Sequence, residues 1–444
     1  MRDAVVGVAA PDMSLAGERI AVIGMGYVGL PLAVAFTGQG AAVTGFDTNK
    51  KRLNELQAGQ DSGQEFTQQI LSTADIDYTD DTAALAACDI FIVCVPTPLD
   101  AEGRPDLSDL EAACQTIGAA LRMGALVVYE STVFPGVTED ICIPILERRS
   151  GLRAGRDFMV AYSPERINPG DRQHGLSTVT KVVAGHTPAA LARASRLYGS
   201  IVEAGIYAAP TIRVAEATKL AENVQRDVNI ALMNEMARIF GALGLDATNV
   251  FQAARTKWNF HSYRPGLVGG HCIGVDPMYL AYCARQTGIE PSLVLTARNV
   301  NDSMPGFIAQ QCVDRLVRQH GPDGQRGRRV TVLGVTFKEN LPDMRNTPAR
   351  ALIRQLQVFG IVPQIVDPWA EPADVVAQLG APLCPEADIE PSDGVILAVA
   401  HDAFVTGGWS LVDRCLGGVG KVVIDVKAIL DPGNMPPEID FFRL

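Results

Sequence analysis

Ile20-Ala21-Val22-Ile23 is apolar without a break, and a second short run, Ala42-Val43-Thr44-Gly45-Phe46, follows it after a stretch one helix long. Short apolar runs bounded by glycine read as strands buried on both faces. Between them, Leu30 to Thr37 reads as the start of a helix. The alternation continues with a strand at Asp89 to Val95 that ends in Pro96-Thr97-Pro98, a helix at Asp109 to Arg122 and a strand at Leu126 to Tyr129. Alternation of this kind predicts an α/β fold in which helices cover a parallel sheet. From about Thr211 to Gly241 no proline or glycine interrupts the chain. That predicts one long helix, able to link two domains and to offer a face to another subunit. Residues 245 to 320 read as largely helical, apart from a glycine-rich loop at Gly266 to Gly274.

A second α/β unit starts after the polar run Gly321 to Arg329, with Val330-Thr331-Val332-Leu333-Gly334 as its first strand. Asn346-Thr347-Pro348 marks a helix start, with a capping side chain and a proline in the first turn. Ile361 to Asp367, Gly394 to Val399 and Lys421 to Val426 read as further strands. The expected architecture is two Rossmann-like parallel-sheet domains joined by a long central helix and a helical middle segment. The boundaries fall at residues 1–210, 211–320 and 321–444. No sequence repeat relates the two halves.

Composition narrows the class. The chain has 444 residues, 47% apolar and 20% charged, with a net charge of -12. That length holds two or three domains with buried cores. The negative charge argues against a nucleic-acid or anionic-membrane partner, while a local pocket of Arg, Lys and backbone N–H groups can still hold a small anion. Nine cysteines, an odd number without CxxC pairs or a zinc spacing, point to a reducing compartment and to no metal site. Ile20 to Phe46 is 27 residues without a charge and long enough to span a bilayer. Its six glycines fit a buried strand–turn–helix better. The apolar stretch Ala4 to Ala10 is too short and too poorly flanked for a signal peptide. The expected location is the cytoplasm.

The candidate chemistry starts at Gly24-Met25-Gly26-Tyr27-Val28-Gly29, which follows a strand and opens a helix. In that context Gly24 makes the tight turn, Gly26 lets the backbone approach a pyrophosphate, and Gly29 allows close helix–strand packing. Asp47 ends the next strand, where an acid binds ribose hydroxyls and repels a 2′-phosphate; this favours NAD over NADP. Arg52 lies nearby. The competing reading is a glycine turn in an α/β domain that binds nothing. Pro96-Thr97 and Glu130-Ser131-Thr132 follow two buried strands, so the hydroxyls of Thr97, Ser131 and Thr132 either meet a cofactor or cap their own loops. Lys219 and Asn223 share a helix face with Glu216 one turn earlier. They suit an oxyanion; taken alone, they read as a solvated face.

Gly269-Gly270-His271-Cys272-Ile273-Gly274-Val275-Asp276-Pro277 is the most telling segment. Asp276-Pro277 reads as a cap and helix start, which places Cys272 before a helix N-terminus, where the dipole favours a thiolate. Gly269, Gly270 and Gly274 read as room for substrate beside the sulfur. Alone, a cysteine in such a loop is an inert small residue. Lys338 and Arg345, beyond the first strand of the second unit, sit where that unit would receive a phosphorylated ligand, or are merely exposed.

Taken together, the GMGYVGLP, VPTP and ESTV stretches, Ser163-Pro164-Glu165, Lys219 with Asn223, the GGHCIGVDP loop and FKEN…DMRNTP resemble the UDP-glucose/GDP-mannose dehydrogenase family, from about residue 18 to the C-terminus. The resemblance implies that NAD oxidises the C6 hydroxyl of a UDP-sugar twice. It makes Cys272 the nucleophile, holding a thiohemiacetal and then a thioester. It gives Thr132, Glu165 and Asp276 a share in placing water, and Lys219 and Asn223 the oxyanions. It puts Gly24, Gly26, Tyr27, Val28, Gly29, Asp47, Arg52, Pro96, Thr97, Ser131, Thr132 and Arg345 at the cofactor. Glu165, Arg166, Lys219, Asn223, Tyr263, Gly269, Phe337 and Lys338 go to the substrate. It also implies a homodimer or larger oligomer built on the central helix. Glu165-Arg166-Ile167-Asn168-Pro169-Gly170-Asp171 and Asn223-Val224-Gln225-Arg226-Asp227 are similar to the bacterial UDP-N-acetylhexosamine dehydrogenases of surface-polysaccharide synthesis. That implies UDP-GlcNAc or UDP-GalNAc as substrate. UDP-ManNAc, UDP-glucose, a two-electron β-hydroxyacid-type dehydrogenase and a silent sugar-nucleotide sensor are the alternatives.

Overall fold

The computed structural model describes residues 14–63, 65–167, 174–270, 272–418 and 420–444. The motif positions Asn168 to Asp171, and His271 beside the candidate cysteine, lie outside the described residues. The chain divides into two compact units. The first holds the described residues up to Glu222 together with Met278–Ile289, and the second holds Asn223–Pro277 and Glu290–Leu444.

The first unit is built on an eight-stranded sheet. Its strands are β1 (Arg19–Ile23), β2 (Ala42–Phe46), β3 (Ile76–Thr79), β4 (Ile90–Val93), β5 (Leu126–Tyr129), β6 (Met159–Tyr162), β7 (Lys181–Gly185) and β8 (Ile206–Ala208). Their order across the sheet is β3-β2-β1-β4-β5-β6-β7-β8. Successive side chains along a strand face opposite ways, so each continuous apolar run feeds two cores. Ala21, Ile23, Phe91, Val93, Val127 and Tyr129 pack with Leu110, Cys114 and Ile117 of the helix Ser108–Ala120. Ile20, Val22, Ile90, Ile92, Leu126 and Val128 pack with Leu30, Ala33 and Phe36 of the helix Gly29–Thr37. The sheet departs from the expected purely parallel form at one junction. There β7 runs antiparallel to β6, with Tyr162 opposite Ala184, a pairing that needs no crossover helix.

The second unit has β9 (Arg329–Leu333), β10 (Val362–Val366), β11 (Gly394–Leu397), β12 (Val422–Asp425) and β13 (Asp440–Arg443). Their order is β10-β9-β11-β12-β13, with every pair parallel. That is the order of β2-β1-β4-β5-β6 in the first unit, so a topology recurs where no repeat is visible in sequence. Val330, Val332, Ile396 and Ile424 pack against Leu352 and Leu356 of the helix Ala349–Val358 and Ile308 and Cys312 of the helix Ser292–His320.

The central helix, Ile212–Ala242, has 31 residues, about 46 Å at the usual rise per residue. Helices follow at Ala247–Ala254, Asp276–Gln286 and Ser292–His320. The irregular segment before Asp276 begins at Arg255, earlier than the sequence pattern suggests. Pro265 disfavours helical backbone at the residue before it, and Gly266 sits at φ +150. No helix among the described residues is long and apolar enough to cross a membrane.

Candidate active site

In the first unit, β1 runs into the glycine turn. Gly24 has φ +98, and a Cβ there would lie 2.9 Å from the Cys94 carbonyl oxygen at the end of β4. At Gly29 a Cβ would lie 1.8 Å from the Gly24 oxygen. A Cβ at Gly26 would meet nothing within 4 Å, so that side of the turn is open. The helix that follows starts at Gly29, and Val28 at its N-cap position supplies no side-chain cap. Its first N–H groups and positive end are thus left for an anion. These features fit the pyrophosphate of a dinucleotide. Asp47 accepts from Met25 N–H at 2.7 Å and Asn49 N–H at 2.8 Å, which ties the acid to the glycine turn. Arg52 donates through Nε to the Met25 carbonyl at 2.9 Å and pairs with Asp61 at 2.9 Å, so it walls the turn. The Tyr27 ring lies against Gly63.

The two strand-end loops are stitched together. Thr97 Oγ1 donates to the Thr132 carbonyl at 2.6 Å, and Ser131 Oγ donates to the Val95 carbonyl, just before Pro96, at 2.7 Å. Tyr279 Oη donates to the Thr97 carbonyl at 2.7 Å. Both hydroxyl protons therefore serve the loops, and the oxygens remain acceptors. Lys219 and Glu216 are not a solvated face. Lys219 is 7% exposed, and its Nζ donates to the Glu165 carbonyl at 2.5 Å. Glu216 is fully buried and accepts from Gly136 and Thr138 N–H at 2.6 and 3.0 Å. Arg166 pairs with Glu222 at 2.7 Å and donates to the Thr180 carbonyl at the same distance.

Sequence reasoning missed the group behind Glu165. Lys181, at the head of β7, lies 2.6 Å from Glu130 and 3.4 Å from Glu165. Its ammonium also sits 5.1 Å from the centroid of the Tyr198 ring. Burial pushes the Glu130 carboxyl up to about 7, against the pull of Lys181. Burial opposes the Lys181 charge, but the two carboxylates raise its pKa above the ordinary value. A lysine leading an apolar strand reads as a solvent-facing end, and nothing local announces a partner 51 residues away.

In the second unit, Asn223 Nδ2 donates to Asp276 Oδ2 at 2.5 Å, and Asp276 is 1% exposed. Cys272 is exposed; its carbonyl accepts from Asp276 N–H at 2.8 Å and Val275 N–H at 3.1 Å. The turn therefore closes onto the acid. The helix starts at Asp276 itself rather than after it. Two of the loop glycines do not leave room for a ligand. A Cβ at Gly269 would lie 2.5 Å from Pro348, and one at Gly270 would lie 2.8 Å from the Phe337 ring. They allow close packing instead. Tyr263 Oη donates to Gln225 at 2.9 Å.

Lys338 lies on a loop held from beneath. His401 is fully buried, and its Nδ1 accepts from Asn340 N–H at 2.9 Å. Its proton is therefore on Nε2, which faces Asp367 at 3.1 Å. Asp367 also accepts from the N–H groups of Val335, Thr336, Trp369 and Ala370. Burial works against the Asp367 charge, but these bonds hold its carboxyl below the ordinary value. Arg345 turns onto Asp343 at 2.8 Å. A cavity of about 120 Å³ is lined by Phe251, Arg255, Arg264, Lys427 and Leu444, among others. Its three cations suit an anionic ligand, and sequence reasoning singled out none of them.

Three family models match the chain: the NAD binding domain of the UDP-glucose/GDP-mannose dehydrogenase family over residues 18–202, its central domain over 213–303 and its UDP binding domain over 331–432. A UDP-N-acetyl-D-glucosamine 6-dehydrogenase of Pseudomonas aeruginosa is 45% identical over 414 residues, covering 93% of this chain and 97% of that one. A protein of the same name from Salmonella typhi is 43% identical, covering 93% and 96%. The solved structure of a UDP-D-ManNAc dehydrogenase from Pyrococcus horikoshii superposes with a TM-score of 0.84 at 31% identity, covering 96% of this chain and 98% of that one.

Proposed function

The chain belongs to the UDP-glucose/GDP-mannose dehydrogenase family, and we propose that it oxidises the C6 hydroxyl of UDP-GlcNAc or UDP-GalNAc through to the carboxylate. It is an NAD-dependent nucleotide-sugar dehydrogenase that acts on a UDP-sugar. Relatives at 45% and 43% identity named for UDP-GlcNAc support an N-acetylhexosamine. The likeness to a UDP-D-ManNAc dehydrogenase keeps that sugar as the second reading.

The observation that carries the four-electron reading is the exposed Cys272 thiol on a turn closed onto the buried Asp276. When bound, NAD supplies the hydride acceptor. Loss of a hydride and a proton turns the alcohol into an aldehyde. The Cys272 sulfur bonds to the carbonyl carbon, and the oxygen takes a proton to give a thiohemiacetal. Loss of a second hydride and proton gives a thioester. Water adds, the C–S bond breaks, and carboxylate and thiol are released; two NAD are reduced in all. Lys219 spends one N–H on the Glu165 carbonyl and keeps two for an oxyanion. Asn223 keeps one N–H and its oxygen beyond the bond to Asp276. Thr132, Glu165 and Asp276 place the water. Gly24, Gly26, Gly29, Asp47, Thr97 and Ser131 hold the cofactor. Lys338, Phe337 and Tyr263 hold the substrate, Gly269 lines the site through its backbone alone, and the cations of the 120 Å³ cavity support its phosphates.

The protein works in a reducing compartment, the cytoplasm. No disulfide joins any of its nine cysteines, which supports that location. It assembles as a homodimer or larger along the central helix, where Leu232 and Ile239 are about half exposed, with the exposed Leu243 just past its end. Its product feeds surface-polysaccharide synthesis.

The test is NADH yield per molecule of limiting UDP-GlcNAc, UDP-GalNAc, UDP-ManNAc or UDP-glucose, with product masses. Two NADH and a uronic acid from an N-acetylhexosamine are expected. One NADH without acid would establish the two-electron alternative, and ligand binding without NADH would establish a sensor. Acid production undiminished in Cys272→Ala would sink the covalent route.

A further inference from the structure

The Cys272 loop is not held by its own residues alone. Gly266, at its start, is paired through both backbone groups to one side chain. Its N–H donates to Asn234 Oδ1 at 2.7 Å, and its carbonyl accepts from Asn234 Nδ2 at 3.1 Å. Because an N–H can only donate, this fixes which way the Asn234 amide points. The same Nδ2 donates to Asn301 Oδ1 at 2.8 Å. That in turn leaves Asn301 Nδ2 to donate to Asp227, to its carbonyl at 3.0 Å and its Oδ1 at 2.8 Å. Arg298 Nη1 donates to the same Asp227 oxygen and to the Ile273 carbonyl at 3.3 Å. Ile273 is the residue after Cys272. The circuit Gly266–Asn234–Asn301–Asp227–Arg298–Ile273 thus closes on both sides of the thiol, with the Asp227 carboxylate accepting from both arms.

All four side chains are buried, Asp227 and Asn234 fully and Asn301 and Arg298 to within 5%. Burying an ion pair and two amides brings little net stability, whereas the directional bonds select one arrangement of whatever they hold. What they hold is the two ends of a loop whose middle, Gly269 and Gly270, packs against Pro348 and Phe337. Asp227 entered the sequence reading only as the end of Asn223-Val224-Gln225-Arg226-Asp227; the circuit gives it a task.

We propose that Asn234, Asn301, Asp227 and Arg298 are positioning residues that clamp the Gly266–Ile273 segment and so set where the Cys272 sulfur stands for the second oxidation. The inference rests on the reading of Cys272 as the nucleophile. None of the four touches the reacting atoms; they act through the loop.

Arg298→Lys tests it in the full-length enzyme. A single ammonium keeps the charge but cannot serve Asp227, Asp302 and the Ile273 carbonyl together, as the guanidinium does. Three readouts apply: amide hydrogen exchange of a peptide covering residues 264–275, the iodoacetamide alkylation rate of Cys272, and NADH yield with the aldehyde trapped. The expected result is faster exchange in that peptide with β9 unchanged, an alkylation rate altered severalfold, and a second oxidation slowed by about tenfold or more. Yield then falls from two NADH towards one as aldehyde accumulates. Wild-type exchange, alkylation and yield would overturn the clamp. Should Arg298→Lys fail to fold, Asn301→Ser breaks the circuit at its centre and is judged on the same three readouts. If Cys272→Ala still gives two NADH, the nucleophile reading fails, and the exchange and alkylation results still judge the clamp.

Discussion

Lys181→Met removes the only cation that faces two buried carboxylates among the described residues of that cluster. Glu130 is 2% exposed and Glu165 is 8% exposed, so water cannot take over the role of the ammonium. Breaking a buried pair by removing one partner costs about 3–5 kcal/mol, because the charge left behind is uncompensated. For a unit of this size that lowers the melting temperature by roughly 6–20 °C. The pH dependence is the sharper test. In the native enzyme the Glu130 carboxyl is pushed up to about 7 from its ordinary 4.5. The folded state therefore holds that proton more tightly than the unfolded chain does. Stability from this group is greatest below the unfolded value and is lost as pH rises through 4.5 to about 7. Without Lys181 the folded value rises further, so the variant's deficit is largest near pH 8 and shrinks near pH 5.5. Thermal unfolding followed by circular dichroism at the two pH values measures it, with Lys181→Met/Glu130→Gln as the compensating pair. A deficit below about 1 kcal/mol at pH 8, or an equal deficit at both pH values, would refute the reasoning.

Gly29→Ala places a methyl 1.8 Å from the Gly24 oxygen; NADH binding, followed by fluorescence titration, should be lost or weakened by about tenfold or more, and binding within a factor of two would contradict the packing account. Asp47→Ala removes the acceptor for Met25 and Asn49 N–H, and the KM for NAD should rise by about five- to a hundredfold, the range expected for stranding such donors, while the KM for UDP-sugar stays unchanged. His401→Phe takes a donor from Asp367 and the acceptor from Asn340 N–H. It should raise the KM for UDP-sugar more than it lowers kcat, with the KM for NAD unaltered; a kcat effect alone would disconnect the Lys338 loop from substrate.

What sequence revealed of this molecule follows how local each signal is. β1 and its glycine turn were legible because the apolar run and the three glycines are contiguous, and Asp47 because a strand ends on it. Asn223 and Asp276 were each legible, but their 2.5 Å bond joins positions 53 residues apart. β7 was missed because it is short and opens on the charged Lys181, and the carboxylates that pair with that charge sit in the loops after β5 and β6. Gly269 and Gly270 were seen but misread as room for substrate: the missing side chain is written in the sequence, while the Pro348 and Phe337 that fill the space lie some seventy residues on. The clamp under the cysteine loop was invisible, since buried asparagines on long helices look like any polar positions until their partners are known.

The two aspartates that close the second strand of each sheet pattern, Asp47 and Asp367, occupy matching stations yet carry different loads. A carboxylate offers about four lone-pair sites. Asp47 spends two of them on backbone N–H groups and keeps the rest. Asp367 faces four backbone N–H groups and the His401 imidazole, which saturates it. The same residue at the same place is an open hand in one half and a rivet in the other. Nucleotide discrimination in the C-terminal half must therefore come from side chains outside that strand end, and no exchange of the acid there will retune which nucleotide it accepts.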